Sequence, residues 1–190
     1  MKKITIVGVG ALGSYAALFL RNEASIKLVD MDRIEQRNLL SQFHGKANVG
    51  KNKAQALQQT LQFLFGIKVE SIPHKLTKEN DKQLLAEADL ILDCLDNAEA
   101  RKIVQDFARA KGLPCVHGAL AADGSFGRVA WDEGFVIDSE AVKGAATCEG
   151  GEFLPFIGVV AALMSRSVQE FLHNGKKIGF EVHPNGVIRT

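Results

Sequence analysis

Gly8, Gly10 and Gly13 are spaced as GxGxxG between an apolar strand, Ile4-Thr5-Ile6-Val7, and an apolar helix, and such a turn can hold phosphate. Glycine lets the backbone come close to a pyrophosphate, and the free amides and positive dipole end of the next helix stabilise its charge. Asp30 closes a second strand, Ile26 to Val29, about 20 residues after the turn, where a carboxylate can bond a ribose hydroxyl. On these features alone NAD, FAD, S-adenosylmethionine and ATP fit equally well.

Other residues extend this chemistry. Asp96, paired with Asn97 just after the apolar run Leu90 to Asp93, sits where phosphate and a metal ion should meet at the mouth of a sheet. Asp93, at the strand end itself, reads equally well as a helix cap. Cys148, in Thr147-Cys148-Glu149-Gly150-Gly151 before a long helix, is a candidate nucleophile, since a helix start can lower a thiol pKa. Glu149 beside it opposes that shift. Cys94 and Cys115 lie within apolar strands and read as core. The five histidines, His44, His74, His117, His173 and His183, show no metal-ligand spacing, and only His117 falls beside the expected crevice.

The elements that must position these residues follow from periodicity. Apolar runs near 4–7, 26–29, 68–72, 89–93 and 114–118 alternate with helical segments such as Lys53 to Leu64 and Asn97 to Ala110. This alternation predicts an α/β fold with a doubly wound, Rossmann-like, mostly parallel sheet, whose ligands sit beyond the carboxyl ends of the strands. A further strand, Gly127 to Trp131, leads into a charged, small-residue stretch at 132–151 that is expected to be a mobile loop. The long apolar helix Phe153 to Leu172 follows, and Asn185-Gly186 between apolar pairs predicts a C-terminal β-hairpin over 180–189.

The 190 residues, 46% of them hydrophobic, suffice for a single domain spanning 1–190 without disulfide support. With 23 basic and 22 acidic residues the formal net charge is +1, so no overall footprint for nucleic acid or an anionic membrane is expected. Three widely spaced cysteines and no CxxC pair point to a reducing, cytoplasmic setting. The start, Met1-Lys2-Lys3 before an apolar run to Leu20, mimics a secretion signal, but an ordered GxGxxG followed by a second strand fits a folded βαβ unit better.

Three segments carry a resemblance. Asp30-Met31-Asp32-Arg33-Ile34-Glu35-Gln36-Arg37-Asn38-Leu39-Leu40-Ser41-Gln42, Val49-Gly50-Lys51-Asn52-Lys53-Ala54, and Asp89 to Arg101 resemble the DxDxVExSNLxRQ, GxxKA and DxxxDxxDNxxxR signatures of the ThiF/MoeB/HesA-type, ubiquitin-activating-like adenylyltransferases. The resemblance covers nearly the whole chain. It implies ATP and Mg2+ as the bound species, and adenylation of the C-terminal glycine of a small ubiquitin-like sulfur carrier ending in Gly-Gly. It further implies that Gly8, Gly10 and Gly13 hold phosphates, Asp30 and Asp32 the ribose side, Asn38, Gln42 and Lys53 the nucleotide and its phosphates, and Asp96, with Asn97, the magnesium ion. Without its motif, Lys53 would read as an ordinary surface lysine.

Relatives carry a cysteine in the segment of Cys148 that can form thioester or persulfide-derived links to the carrier. They also pair as homodimers, which the two-sided apolar pattern of Phe153 to Leu172 suits. One departure stands out: Ser41 occupies a position where the motif usually has arginine. Arg37, four residues earlier, shares the face of position 41 if the segment is an α-helix, and is expected to supply the missing charge. A partner-binding scaffold of the same fold and an NAD-dependent oxidoreductase are the competing readings.

Overall fold

The computed structural model describes residues 2–137 and 151–190. Eight strands form one sheet in the order β3-β2-β1-β4-β5-β6-β7-β8. The five parallel strands are β1 (Lys3–Val7), β2 (Ser25–Val29), β3 (Glu70–Ile72), β4 (Leu90–Asp93) and β5 (Cys115–Leu120). The last three, β6 (Gly127–Trp131), β7 (Phe180–His183) and β8 (Gly186–Arg189), run antiparallel to their neighbours. The expected α/β architecture is present, with β3 shorter and β5 longer than the apolar runs alone suggest.

The strands obey a period of two. Ile4 and Ile6 of β1, Ile26 and Leu28 of β2, and Leu90 and Leu92 of β4 face one core, shared with α1 (Ala11–Leu20), α2 (Lys53–Phe65) and α5 (Leu154–Asn174). Val7, Val29, Ile91 and Cys115 face a second core under α3 (Asp81–Leu85) and α4 (Ala98–Lys111). Burial on both faces is what makes these runs near-continuously apolar. Each fully buried Leu or Ile contributes roughly 1.5–3 kcal/mol to the packing.

α5 is the one described helix long and apolar enough to cross a membrane, by length and composition. Its Ile157, Val160, Ala161, Met164 and Val168 are nevertheless built into the chain's own core against α1 and the sheet. Phe156 and Leu163 pack at the rim of that core. Val159, Ala162 and Arg166 form the outward side, so one of the two expected faces is accounted for within the chain.

The C-terminal hairpin is present, but its turn is Pro184-Asn185, with Gly186 already paired to His183 in β8. No non-glycine residue among those described has a positive φ, so the turn is not the type I′ form that Asn-Gly signals. Of the expected mobile loop at 132–151, residues 132–134 form a short 3₁₀ turn and Phe135 is buried. Residues 138–150, including Cys148, lie outside the described residues.

Candidate nucleotide-binding site

The three glycines do different work. Gly8 leaves β1 with φ +88°, and its amide donates to the Val29 carbonyl at 2.9 Å. A Cβ there would lie 2.8 Å from the Cys94 carbonyl oxygen, so any side chain would collide with the loop after β4 as well as strain the backbone. A Cβ on Gly13 would overlap the Gly8 carbonyl oxygen, so α1 can start this close to the turn only without one. A Cβ on Gly10, by contrast, would meet nothing nearer than Gln42 Nε2 at 3.8 Å. Gly10 is the N-cap of α1 and supplies no side-chain cap, and the first turn of α1 carries no acidic residue. The helix start thus presents backbone donors on an open side, as a phosphate cradle requires.

Asp30 follows β2 and ties this turn to its neighbour. Its Oδ2 accepts from the Val9 amide at 2.6 Å and its Oδ1 from the Asp32 amide at 2.8 Å. An ionised carboxylate has about four acceptor sites, so two remain for hydroxyls. Burial holds its carboxyl above the ordinary carboxylate value, against the opposing pull of Lys53 and the two amides.

Lys53, at the start of α2, is buried and not the surface lysine that composition alone suggests. Its Nζ lies 3.2 Å from the half-exposed Asp32 Oδ2. The Asn52 side chain fixes this pairing: Nδ2 donates to the carbonyls of Asp30 (2.8 Å) and Asp32 (3.1 Å), while Oδ1 accepts from the Gln55 amide and caps α2. The family's DxD and GxxKA segments are therefore one structural unit.

The segment Gln36–Leu40 is a 3₁₀ turn, not an α-helix. With three residues per turn, positions 37 and 41 do not share a face. Arg37 is exposed, its Nε 2.8 Å from Glu35 Oε2, whereas Ser41 is fully buried. The expectation that Arg37 stands in for an arginine at 41 through a common helical face is corrected on that geometry. Asn38 Oδ1 accepts from the Glu35 amide at 2.8 Å in a reciprocal capping box, so that oxygen is committed to the turn. Gln42 is 94% buried with Oε1 lacking a partner, and His44, with no part in the sequence motifs, donates from Nε2 to the Val9 carbonyl at 3.0 Å. No spacing signal marks His44, because its role depends on a contact to a residue 35 positions earlier.

The loop after β4 divides its carboxylates. Asp93 is not a helix cap. It is fully buried, with Oδ1 accepting from the Leu95 amide (3.0 Å) and Oδ2 facing Arg101 (3.0 Å) and its register partner His117 (2.7 Å). Asn97 is the cap instead: its Oδ1 accepts from the Ala100 amide at 2.8 Å and starts α4, which takes that oxygen away from nucleotide or metal. His117 is fully buried between Asp93 and Asp132 (3.2 Å) and stacks on Phe135 at 4.3 Å. Asp132 also binds Arg109 at 2.7 Å. Burial alone would raise its carboxyl, but Arg109, Gln105 and His117 hold it below the ordinary value. These groups form a closed internal network and not a crevice site.

Asp96 is exposed and makes no hydrogen bond or ion pair with another described residue. Burial pushes the thiols of Cys94 and Cys115 up, which agrees with core roles. No group of three or more metal-ligating side chains occurs among the described residues. Magnesium does not need one, since it commonly takes one or two carboxylates, waters and the phosphates of its substrate.

A mostly parallel sheet whose first strand runs through an open glycine turn into a helix defines a doubly wound α/β protein, and the sequence profile of the ThiF family matches residues 1–184. The chain belongs to the ThiF family. It is 29% identical over 187 residues to the adenylyltransferase and sulfurtransferase UBA4 of Meyerozyma guilliermondii, which covers 90% of this chain and 44% of that protein. It is 36% identical over 121 residues to the sulfur carrier protein adenylyltransferase of Thermus thermophilus, covering 62% of this chain and 45% of that one. The chain thus spans less than half the length of these curated relatives. Its fold matches E. coli MccB, solved with ATP, at a TM-score of 0.78 and 18% identity, over all of this chain and 63% of MccB.

Proposed function

We propose that this protein uses ATP and Mg2+ to adenylate the C-terminal glycine of a small ubiquitin-like sulfur carrier ending in Gly-Gly. The supporting observation is the meeting at the strand ends of an open glycine turn, a ribose-competent carboxylate at Asp30 and a buried lysine at Lys53. In the reaction a carrier carboxylate oxygen attacks the α-phosphorus, and the bond to the β-phosphate breaks to release pyrophosphate. Most of the catalytic demand is electrostatic. Gly10 and the first turn of α1 supply donors to phosphate oxygens, and Lys53 supplies a cation that Asp32 holds in place beforehand. Asp30 orients the ribose, with Asp32, Asn38 and Gln42 lining the nucleotide. Asp96 would hold Mg2+, which offsets phosphate charge when bound.

The test is carrier-dependent exchange of labelled pyrophosphate into ATP. Exchange supports the reading; tight ATP binding without exchange by any Gly-Gly carrier favours a binding scaffold, which the buried Ser41 at the arginine position also suits. Preference for NAD over ATP and magnesium in titration would instead favour an oxidoreductase. Cys148 is proposed to accept the activated carrier after adenylation, so Cys148→Ala should keep exchange and lose a thiol-sensitive carrier adduct. A wild-type yield of sulfurated carrier from that variant overturns this role. A cytoplasmic homodimer, built with the outward side of α5, completes the reading, and a monomeric mass by light scattering across a wide concentration range would remove the dimer.

A further inference from the structure

Both backbone polar groups of Val9 are held. Its amide donates to Asp30 Oδ2 at 2.6 Å, and its carbonyl accepts from His44 Nε2 at 3.0 Å. The His44 loop is itself fixed to α1, because the Phe43 amide donates to the buried Ser14 Oγ at 3.0 Å. All described peptide bonds are trans. In a planar trans peptide the C=O of Val9 and the N–H of Gly10 point in opposite directions. Holding the carbonyl on the imidazole therefore fixes the aim of the Gly10 N–H, away from His44. That N–H has no partner among the described residues, and the space beside Gly10 is open but for Gln42 Nε2.

We propose that His44 is a positioning residue for nucleotide phosphates: its Nε2–H anchors the Val9 carbonyl so that the Gly10 amide is presented to the phosphate chain. His44 does not touch the nucleotide in this account; it acts through the glycine turn. The ring suits the task because it is neutral and has a single N–H. Burial, with Lys53 contributing, holds its pKa down to about 4, and Nδ1 is buried without a partner. The tautomer is thereby set by the Val9 carbonyl. The inference rests on the nucleotide reading of the glycine turn.

The test compares wild type, His44→Phe and His44→Gln in calorimetric titrations with Mg-ATP and with adenosine, plus the Gly10 amide resonance of each protein without ligand. Phe keeps a ring and loses the donor, whereas Gln keeps an N–H. His44→Phe should bind Mg-ATP about tenfold more weakly, as for one lost hydrogen bond, while adenosine affinity stays within about twofold. Its Gly10 resonance should move, and His44→Gln should recover most of the ATP affinity. Should Phe disturb the fold, His44→Ala carries the same comparison. Equal loss toward ATP and adenosine, or no loss toward ATP, overturns the positioning role while leaving the nucleotide site standing. Absence of ATP binding by the wild type overturns the nucleotide reading itself, and this inference with it.

Discussion

The half-buried, neutral His44 makes a quantitative claim on stability against pH. Its ordinary pKa of 6.5 applies to the unfolded chain, and burial lowers it to about 4 in the fold. Between these values the unfolded state binds the proton and the folded state does not, so stability falls as pH drops below 6.5 and the loss levels off below 4. Linkage gives a loss of about 2 kcal/mol at pH 5 and about 3 kcal/mol at pH 4, and water reaching the half-buried ring reduces the expected figure to about 1–2 kcal/mol at pH 5. The measurement is urea unfolding of wild type and His44→Gln at several pH values from 7 to 5. Asp30, whose carboxyl is held above its ordinary value, contributes a slope of opposite sign, but it is present in both proteins and cancels in the difference. The wild type should lose stability relative to His44→Gln as pH falls. Parallel curves would refute the claim that this imidazole is buried neutral against the Val9 carbonyl.

Asp96→Ala should lower pyrophosphate exchange by at least about 100-fold through lost transition-state charge stabilisation, with an unchanged urea midpoint because the side chain is exposed and unpaired; normal exchange in the folded variant removes Asp96 from the metal role. Arg101→Met strands the fully buried Asp93 with only His117 and the Leu95 amide, and should cost about 3 kcal/mol in chemical denaturation. Ser41→Arg, which restores the family motif, should destabilise the protein by about 2–4 kcal/mol because position 41 is fully buried; higher activity at unchanged stability would contradict that. Arg37→Ala should leave Mg-ATP affinity within about twofold, since its side chain is 55% exposed and its Nε is held by Glu35; a tenfold loss in calorimetric titration would place Arg37 at the phosphates.

Much of this was legible in one dimension, because strand and helix periods and the glycine turn are local. Ile4, Ile6, Ile26, Leu28, Leu90 and Leu92 had to line one face once the runs were strands. The failures share a cause: they concern what a polar side chain meets across the fold. Asp93 as cap or core could be decided only by the β4–β5 register, which sets it opposite His117 on the α4 side where Arg101 arrives. The shared face expected of Arg37 and position 41 is absent because a 3₁₀ turn in place of an α-helix rotates position 41 off it. The Asn-Gly pair signalled the right hairpin one residue late. His44 gave no signal, since a histidine acting on a carbonyl 35 residues away has no sequence period.

The acidic residues at the strand ends sort themselves by unused acceptor capacity. Asp93 has both oxygens engaged, is closed to solvent, and balances Arg101 and His117; neither a nucleotide nor a metal can reach it without breaking that network. Asp132 is likewise committed to Arg109 and His117. Asp30 uses two amides and keeps two acceptor sites, and Asp96 keeps all of its own. The two aspartates of Asp93-Cys94-Leu95-Asp96 thus have opposite tasks. The first anchors the end of β4, whose next carbonyl lies against Gly8, and the second is carried on that anchored loop beside the glycine turn. A buried charge network is poor evidence of net stability, but here it fixes the position of Asp96, an exposed carboxylate with no partner among the described residues.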